Sequence, residues 1–80
     1  MINKSKNLKL FFIDDDKTIC TLIEEYFSDE GYNIQCTSSA IEAINILKNN
    51  AFDIVVTDIR MPDIDGIEIL SWIKENKPEI

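Results

Sequence analysis

The 80-residue sequence contains no histidine and only two residues each of cysteine, proline and glycine. Without histidine, and with Cys20 and Cys36 outside a C-x-x-C pair, the chain lacks the usual ligand sets of zinc sites. No apolar run approaches the roughly 18 residues of a membrane span, and the N-terminus lacks the apolar centre of a signal peptide. We therefore expect a cytoplasmic protein with no membrane association, in which both cysteines are reduced core thiols.

Positive charge is also scarce, because 8 Lys and Arg residues oppose 15 Asp and Glu residues and leave a net charge of -7. This balance argues against direct nucleic-acid binding by this segment, since phosphate backbones attract cations. The length allows at most one small domain, and 45% hydrophobic with 29% charged residues is typical of a globular one. We divide the chain into a polar N-terminal tail, residues 1–7, and a domain, residues 8–80.

Three predicted strands are bounded by turn residues. The first, residues 8–13, and the third, residues 52–57, contain continuous apolar runs at 10–13 and 54–56. Such runs favour strands that are buried on both faces, as in a parallel sheet covered by helices. Residues 32–37 instead alternate between apolar and polar side chains, which is typical of an edge strand.

Three predicted helices alternate with these strands. They cover residues 17–29, a segment from a Ser38 or Ser39 cap to about residue 48, and residues 66–76, and Gly31 and Pro78 follow two of their ends. The order β-α-β-α-β-α requires a parallel sheet with right-handed crossovers and helices on both faces. The residues predicted to face the sheet are Ile19, Leu22, Ile23, Tyr26 and Phe27 in the first helix, Ala40, Ala43, Ile44 and Leu47 in the second, and Ile67, Leu70 and Ile73 in the third.

Aspartates follow the first and third strands. One of Asp14, Asp15 and Asp16 is expected to cap the first helix, and Asp58 follows the third strand. If these strands are neighbours, their carboxyl ends lie about 5 Å apart, and the carboxylates of Asp14, Asp15 and Asp58 form a cluster. The repulsion between these carboxylates must be relieved by protonation, by a lysine or by a divalent cation. Mg2+ is the best candidate, because it is commonly held by one or two carboxylates plus waters and a phosphate oxygen.

The segments Phe12-Ile13-Asp14-Asp15-Asp16 and Thr57-Asp58 through Asp65-Gly66 closely resemble the receiver domain of two-component response regulators. The acidic group followed by D-x-x-M-P-x-x-D-G, on the expected elements, is a highly specific combination. The resemblance implies a flavodoxin-like fold, of which the chain holds the first three of five β-α units, in strand order 2-1-3.

The resemblance also implies residue roles. Asp58 would be the phosphoacceptor, taking a phosphoryl group from a sensor histidine kinase or a phosphotransfer protein. Asp15 would bind Mg2+ directly, Asp14 through water, and Asp58 and the backbone carbonyl of Arg60 would complete the protein's ligands. The chain would then be a phosphorylation-regulated signalling domain and not an enzyme.

Two elements of the family pattern fall beyond Ile80, namely a Ser or Thr after the fourth strand and a Lys after the fifth. The expectation is therefore a truncated fragment, and one alternative is an interaction module that works without phosphorylation. A Mg2+-dependent phosphohydrolase with an aspartate nucleophile is less favoured, because Arg60 stands where haloacid-dehalogenase-type enzymes carry a second Asp.

Strand order 2-1-3 places the third strand at an edge of the sheet, although its apolar run is that of an interior strand. The first helix must also cover one face that two helices share in the five-stranded fold. Apolar sheet surface should remain exposed on that side. We therefore expect self-association through the third-strand edge, or aggregation.

Overall fold

The computed structural model describes residues 8–58 and 66–80, in which three strands alternate with three helices. The elements are β1 Lys9–Ile13, α1 Lys17–Asp29, β2 Asn33–Thr37, α2 Ala40–Asn49, β3 Ile54–Thr57 and α3 Gly66–Asn76. All strands pair in parallel in the order β2-β1-β3, as predicted. Among the described helices, none is long and apolar enough to cross a membrane.

The helix boundaries follow local capping rules. Ser39, one of the two predicted candidates, caps α2 by accepting a hydrogen bond from the Glu42 amide at 3.2 Å. Gly31 follows α1 with φ of 91°, a left-handed conformation that costs glycine little. The predicted helices are therefore confirmed, and the strands begin one or two residues later than predicted.

The parallel register divides the sheet into two faces. Phe12 pairs with Cys36 and Val56, so these three side chains share one face. Phe11 pairs with Gln35 and Val55 on the other face. The Phe11 face packs against α2 and α3, whereas the Phe12 face packs against α1, where the Phe12 and Phe27 rings lie 5.4 Å apart.

The core lies on the Phe11 face. Phe11 and Ile13 are buried there against side chains from α2 and α3. The inward side predicted for α2 is confirmed, because Ala40, Ala43 and Leu47 are buried and Ile44 packs against them. The buried cluster consists of Phe11, Ile13, Ala40, Ala43, Leu47, Ile69 and Ile73.

The predicted inward stripe of α1 is wrong in part. Leu22 is 56% exposed and Tyr26 is 62% exposed, and Ile19 is also exposed. Ile23 and Phe27 of the predicted stripe are partly buried, as expected, and the helix also buries Cys20. A helix contacts a sheet only along a narrow strip of its surface. The apolar side of α1 is wider than the strip that contacts β2 and β1, so its outer apolar residues stay exposed.

The third strand was predicted to be buried on both faces, but only one of its faces is covered by the described residues. Ile54 and Val56 are 44% and 46% exposed, whereas Val55 packs against the core cluster. On β1, Phe12 is likewise only partly buried. Because α1 packs over β2 and β1, the Phe12 face of β3 is left uncovered among the described residues, as the edge argument predicted.

The inward face of α3 is rotated from the predicted one. Ile73 is buried as predicted, but Ile67 and Leu70 are exposed, and Ile69 is fully buried in their place. Ile69 and Ile73 are four residues apart and therefore lie on one side of the helix. The sequence offers two overlapping apolar stripes here, and the position of α2 selects between them.

The cysteines are joined in a disulfide, which corrects the expectation of two reduced thiols. Cys20 lies on the buried side of α1 and Cys36 lies on the sheet face that α1 covers, and their Cα atoms are 5.5 Å apart. That separation lies within the range for disulfides. A spacing of 16 residues carries no local pairing signal, because the crossover from α1 to β2 creates the contact.

Candidate functional site

The carboxyl ends of all three described strands are held together by backbone hydrogen bonds that extend the sheet. The Asp58 amide donates to the Ile13 carbonyl at 2.9 Å, and the Asp14 amide donates to the Thr37 carbonyl at 3.1 Å. Asp14 and Asp58 are thus fixed at the same edge of the sheet by strand pairing. This is the edge at which open α/β sheets place their ligand sites.

Three carboxylates converge there, as the sequence predicted. Asp14, Asp15 and Asp58 each offer an oxygen atom, and these atoms all lie within 4.8 Å of one another. Asp14 is partly buried and Asp15 is exposed. The cluster therefore concentrates negative charge at a point that solvent can reach.

Asp16 has a different role from the two aspartates before it. Its carboxylate accepts hydrogen bonds from the amides of Thr18 at 2.9 Å and Ile19 at 3.3 Å, which makes it the N-cap of α1. Its own amide donates to Oδ1 of Asp14 at 3.0 Å. The question of which aspartate caps the helix is settled in favour of Asp16, and the cap also orients Asp14.

The donor atoms of the cluster suit a small hard cation. All three are carboxylate oxygens, the ligand type that Mg2+ prefers, and Mg2+ commonly takes only one or two carboxylates with waters in the remaining positions. A divalent cation would also offset the charge that the aspartates place on each other. The side chains present therefore fit Mg2+.

Part of the predicted site falls in residues 59–65, outside the described residues. Arg60, whose backbone carbonyl is an expected ligand, lies outside the described residues, as do Met61 and Pro62. Gly66 is described, and it is buried at the first position of α3.

Thr37 is a positioning residue that the sequence analysis missed. It is 6% exposed, its carbonyl accepts the hydrogen bond from Asp14, and its Oγ1 accepts one from the Ser39 amide at 3.3 Å. The residue thus joins the end of β2 both to the acidic cluster and to the start of α2. The predicted parallel pairing of the first and second strands could have identified this contact. The next backbone hydrogen bond beyond the end of the first strand is donated by Asp14, the first of the three aspartates.

Comparisons with known proteins agree with this geometry. The family model described as the response regulator receiver domain matches residues 10–80. Response regulator SaeR of Staphylococcus aureus is 39% identical over 71 residues, which is 89% of this chain and 31% of SaeR. The chain therefore spans about a third of the length of this curated relative.

Solved structures give the same result. A response regulator receiver domain protein from Clostridium thermocellum superposes with a TM-score of 0.81 and 34% identity, over 89% of this chain and 58% of that one. Response regulator protein TrrA from Thermotoga maritima, in complex with Mg2+-BeF, superposes with a TM-score of 0.80 and 31% identity, over 89% of this chain and 62% of that one. The chain therefore has a flavodoxin-like fold and belongs to the family of response regulator receiver domains.

Proposed function

We propose that Asp58 accepts a phosphoryl group from the phosphohistidine of a sensor histidine kinase or phosphotransfer protein in the cytoplasm. The observation that carries this proposal is the convergence of Asp14, Asp15 and Asp58 within 4.8 Å at the carboxyl ends of β1 and β3. Receiver domains are signalling domains, so the phosphoryl group stays on the domain's own aspartate and no external substrate is turned over.

In this proposal each aspartate has a distinct task. An oxygen of Asp58 attacks the phosphorus atom, the bond from phosphorus to the histidine nitrogen breaks, and an acyl phosphate forms on Asp58. Asp15 would hold Mg2+ directly and Asp14 would hold it through water, with Asp58 and the backbone carbonyl of Arg60 as the protein's remaining ligands. When bound, Mg2+ supplies charge neutralisation for the phosphoryl oxygens.

The 80 residues are, in our proposal, the first three β-α units of a longer receiver domain that begins near residue 8. The matched segments cover 58% and 62% of the two solved structures described above, which supports this assignment. The Ser or Thr and the Lys that the family carries on later strands would then come from the remaining part. Phosphorylation is accordingly best tested in a protein that contains the whole domain.

Phosphorylation of that longer protein should occur on Asp58 and should require Mg2+. Phosphoramidate is a suitable probe, because its phosphorus–nitrogen bond resembles that of phosphohistidine. The product should release phosphate on treatment with hydroxylamine, as an acyl phosphate does, and mass spectrometry should locate the group on Asp58. Asp58→Asn should abolish labelling, whereas Asp29→Asn, at the far end of α1, should retain it; a label on Thr57 would overturn the assignment.

Mg2+ binding can be measured on the 80-residue chain by calorimetry. Asp15→Asn and Asp58→Asn should each weaken binding, because each removes a charged ligand from the cluster. Asp29→Asn changes the net charge equally and should leave the affinity unchanged. If all three variants bind Mg2+ with the affinity of the unmodified chain, the shared site is ruled out.

We also propose that the chain self-associates through β3. Within residues 8–58 and 66–80 no strand pairs with the outer edge of β3, so its backbone can exchange hydrogen bonds with a second strand, and its exposed Ile54 and Val56 side chains add apolar area. A second copy of this chain offers the same edge and the same side chains, which allows a symmetric contact. The experiment that tests this contact is given with the other predictions for the whole molecule.

A further inference from the structure

The disulfide lies one turn of helix from the acidic cluster. Cys20 is 6% exposed, and its amide donates to the carbonyl of the cap residue Asp16 at 3.0 Å. Asp16 in turn donates its amide hydrogen to Oδ1 of Asp14 at 3.0 Å. Two consecutive hydrogen bonds therefore connect the buried cysteine to a carboxylate of the cluster.

The other cysteine reaches the same carboxylate-bearing residue from the opposite side. Cys36 is followed by Thr37, whose carbonyl accepts the hydrogen bond from the Asp14 amide. The path from Cys36 through Thr37, Asp14 and Asp16 to Cys20 is closed by the disulfide into a ring. The segment carrying Asp14 and Asp15 is held inside that ring, between the end of β2 and the first turn of α1.

We propose that Cys20 and Cys36 form a reversible thiol–disulfide site whose oxidised state holds the acidic cluster in its Mg2+-binding arrangement. The link to Mg2+ rests on the proposed function. With the bond present, the first turn of α1 is linked covalently to β2 and cannot shift along that strand. With the bond reduced, only the hydrogen bonds and the packing of α1 oppose such a shift.

The unequal burial of the two sulfur-bearing residues sets the order of the chemistry. Cys36 is only partly buried on the edge strand β2, so its thiolate attacks a low-molecular-weight disulfide such as glutathione disulfide and releases one glutathione thiol. The buried Cys20 then attacks the Cys36 sulfur as a thiolate and releases the second glutathione. Two protein thiols are oxidised by two electrons, one glutathione disulfide is reduced, and the thiol protons end on the glutathione sulfurs or in solvent.

The experiment compares the oxidised and reduced forms of the unmodified 80-residue chain. Glutathione disulfide should convert the reduced chain to a form that is lighter by two hydrogen atoms and has no free thiol. Hydrogen exchange at the Asp16 and Cys20 amides should be slower in this form. Its Mg2+ affinity should be roughly tenfold higher, the scale seen when groups that orient a metal ligand are lost.

Three variants serve as controls. Cys20→Ser with Cys36→Ser should behave like the reduced chain whether or not glutathione disulfide is present. Cys36→Ser alone should not form a stable mixed disulfide, whereas Cys20→Ser should stop at the adduct on Cys36. If a serine variant fails to fold, the comparison of the two forms of the unmodified chain still decides the question.

Three results would overturn the proposal, namely two free thiols after treatment, equal amide exchange in both forms, or equal Mg2+ affinity in both forms while Asp58→Asn weakens binding. Failure of the proposed function has a different signature. In that case Asp58→Asn leaves Mg2+ binding unchanged in both forms, and the thiol count and amide exchange alone support or refute the redox-dependent constraint.

Discussion

Asp16 connects the acidic segment to α1, because its side chain caps the helix while its amide holds Asp14. Three adjacent carboxylates in a sequence are ambiguous, since any of them can cap a helix or bind a cation. The backbone removes the ambiguity: strand pairing through Asp14 fixes where β1 ends, and Asp16 then stands at the position from which a side chain reaches the amides of Thr18 and Ile19.

Replacing Asp16 by alanine should lower the free energy of unfolding by about 1 kcal/mol, the typical cost of losing an N-cap. Asp16→Asn should retain most of the stability, because asparagine caps helices about as well as aspartate. Urea unfolding followed by the fluorescence of Trp72 measures both. An equal loss in the two variants would show that the charge of Asp16, and not its cap, provides the stabilisation.

At the scale of single elements, helical periodicity identified α1 and α3 but only part of the sides that they bury. Both helices carry more apolar positions than the sheet can cover, so several inward choices satisfy the same pattern. Leu22 on α1 and Leu70 on α3 are exposed, so packing against neighbouring elements, and not the helical pattern, selects the buried side. In α2 the small Ala40 and Ala43 left only one side that packs closely, and the prediction there was correct.

Leu47 and Leu22 provide a matched test of these assignments. Leu47→Ala should lower the free energy of unfolding by about 2–5 kcal/mol, because it removes a fully buried side chain from the core cluster. Leu22→Ala should change it by no more than about 0.5 kcal/mol, since Leu22 is 56% exposed. Both changes are measured by urea unfolding of the oxidised chain, and comparable losses would mean that α1 packs differently.

Strand β3 was predicted both as a buried strand, from its apolar run, and as an edge strand, from its place in the sheet. The structure bears out the edge prediction, because Ile54 and Val56 are exposed and Val55 packs against the core. A continuous apolar run is typical of a strand that is covered on both faces in a complete sheet. In this chain the same run leaves apolar area available for contact.

At the scale of the whole molecule, that uncovered strand should decide the state of association. The 80-residue chain should form dimers or larger species at micromolar concentration, as measured by light scattering. Val56→Lys should reduce association, because a lysine on an edge strand opposes pairing with a second strand. Ile41→Lys, which changes an exposed isoleucine on α2, should not. A monomeric unmodified chain that unfolds cooperatively would refute self-association.

The sequence by itself determined the alternation of strands and helices, because local periodicity and chain connectivity carry that information. The order β2-β1-β3, which brings three aspartates together at the carboxyl ends of the strands, came from the resemblance of the motifs to receiver domains, since periodicity alone leaves the strand order open. Only the tertiary structure decided the rest: the disulfide between Cys20 and Cys36, the role of Thr37, and which apolar side chains of α1, α3 and β3 stay exposed. Those outcomes depend on contacts between residues far apart along the chain, and the physical reason is that packing selects among local patterns that are equally acceptable on their own.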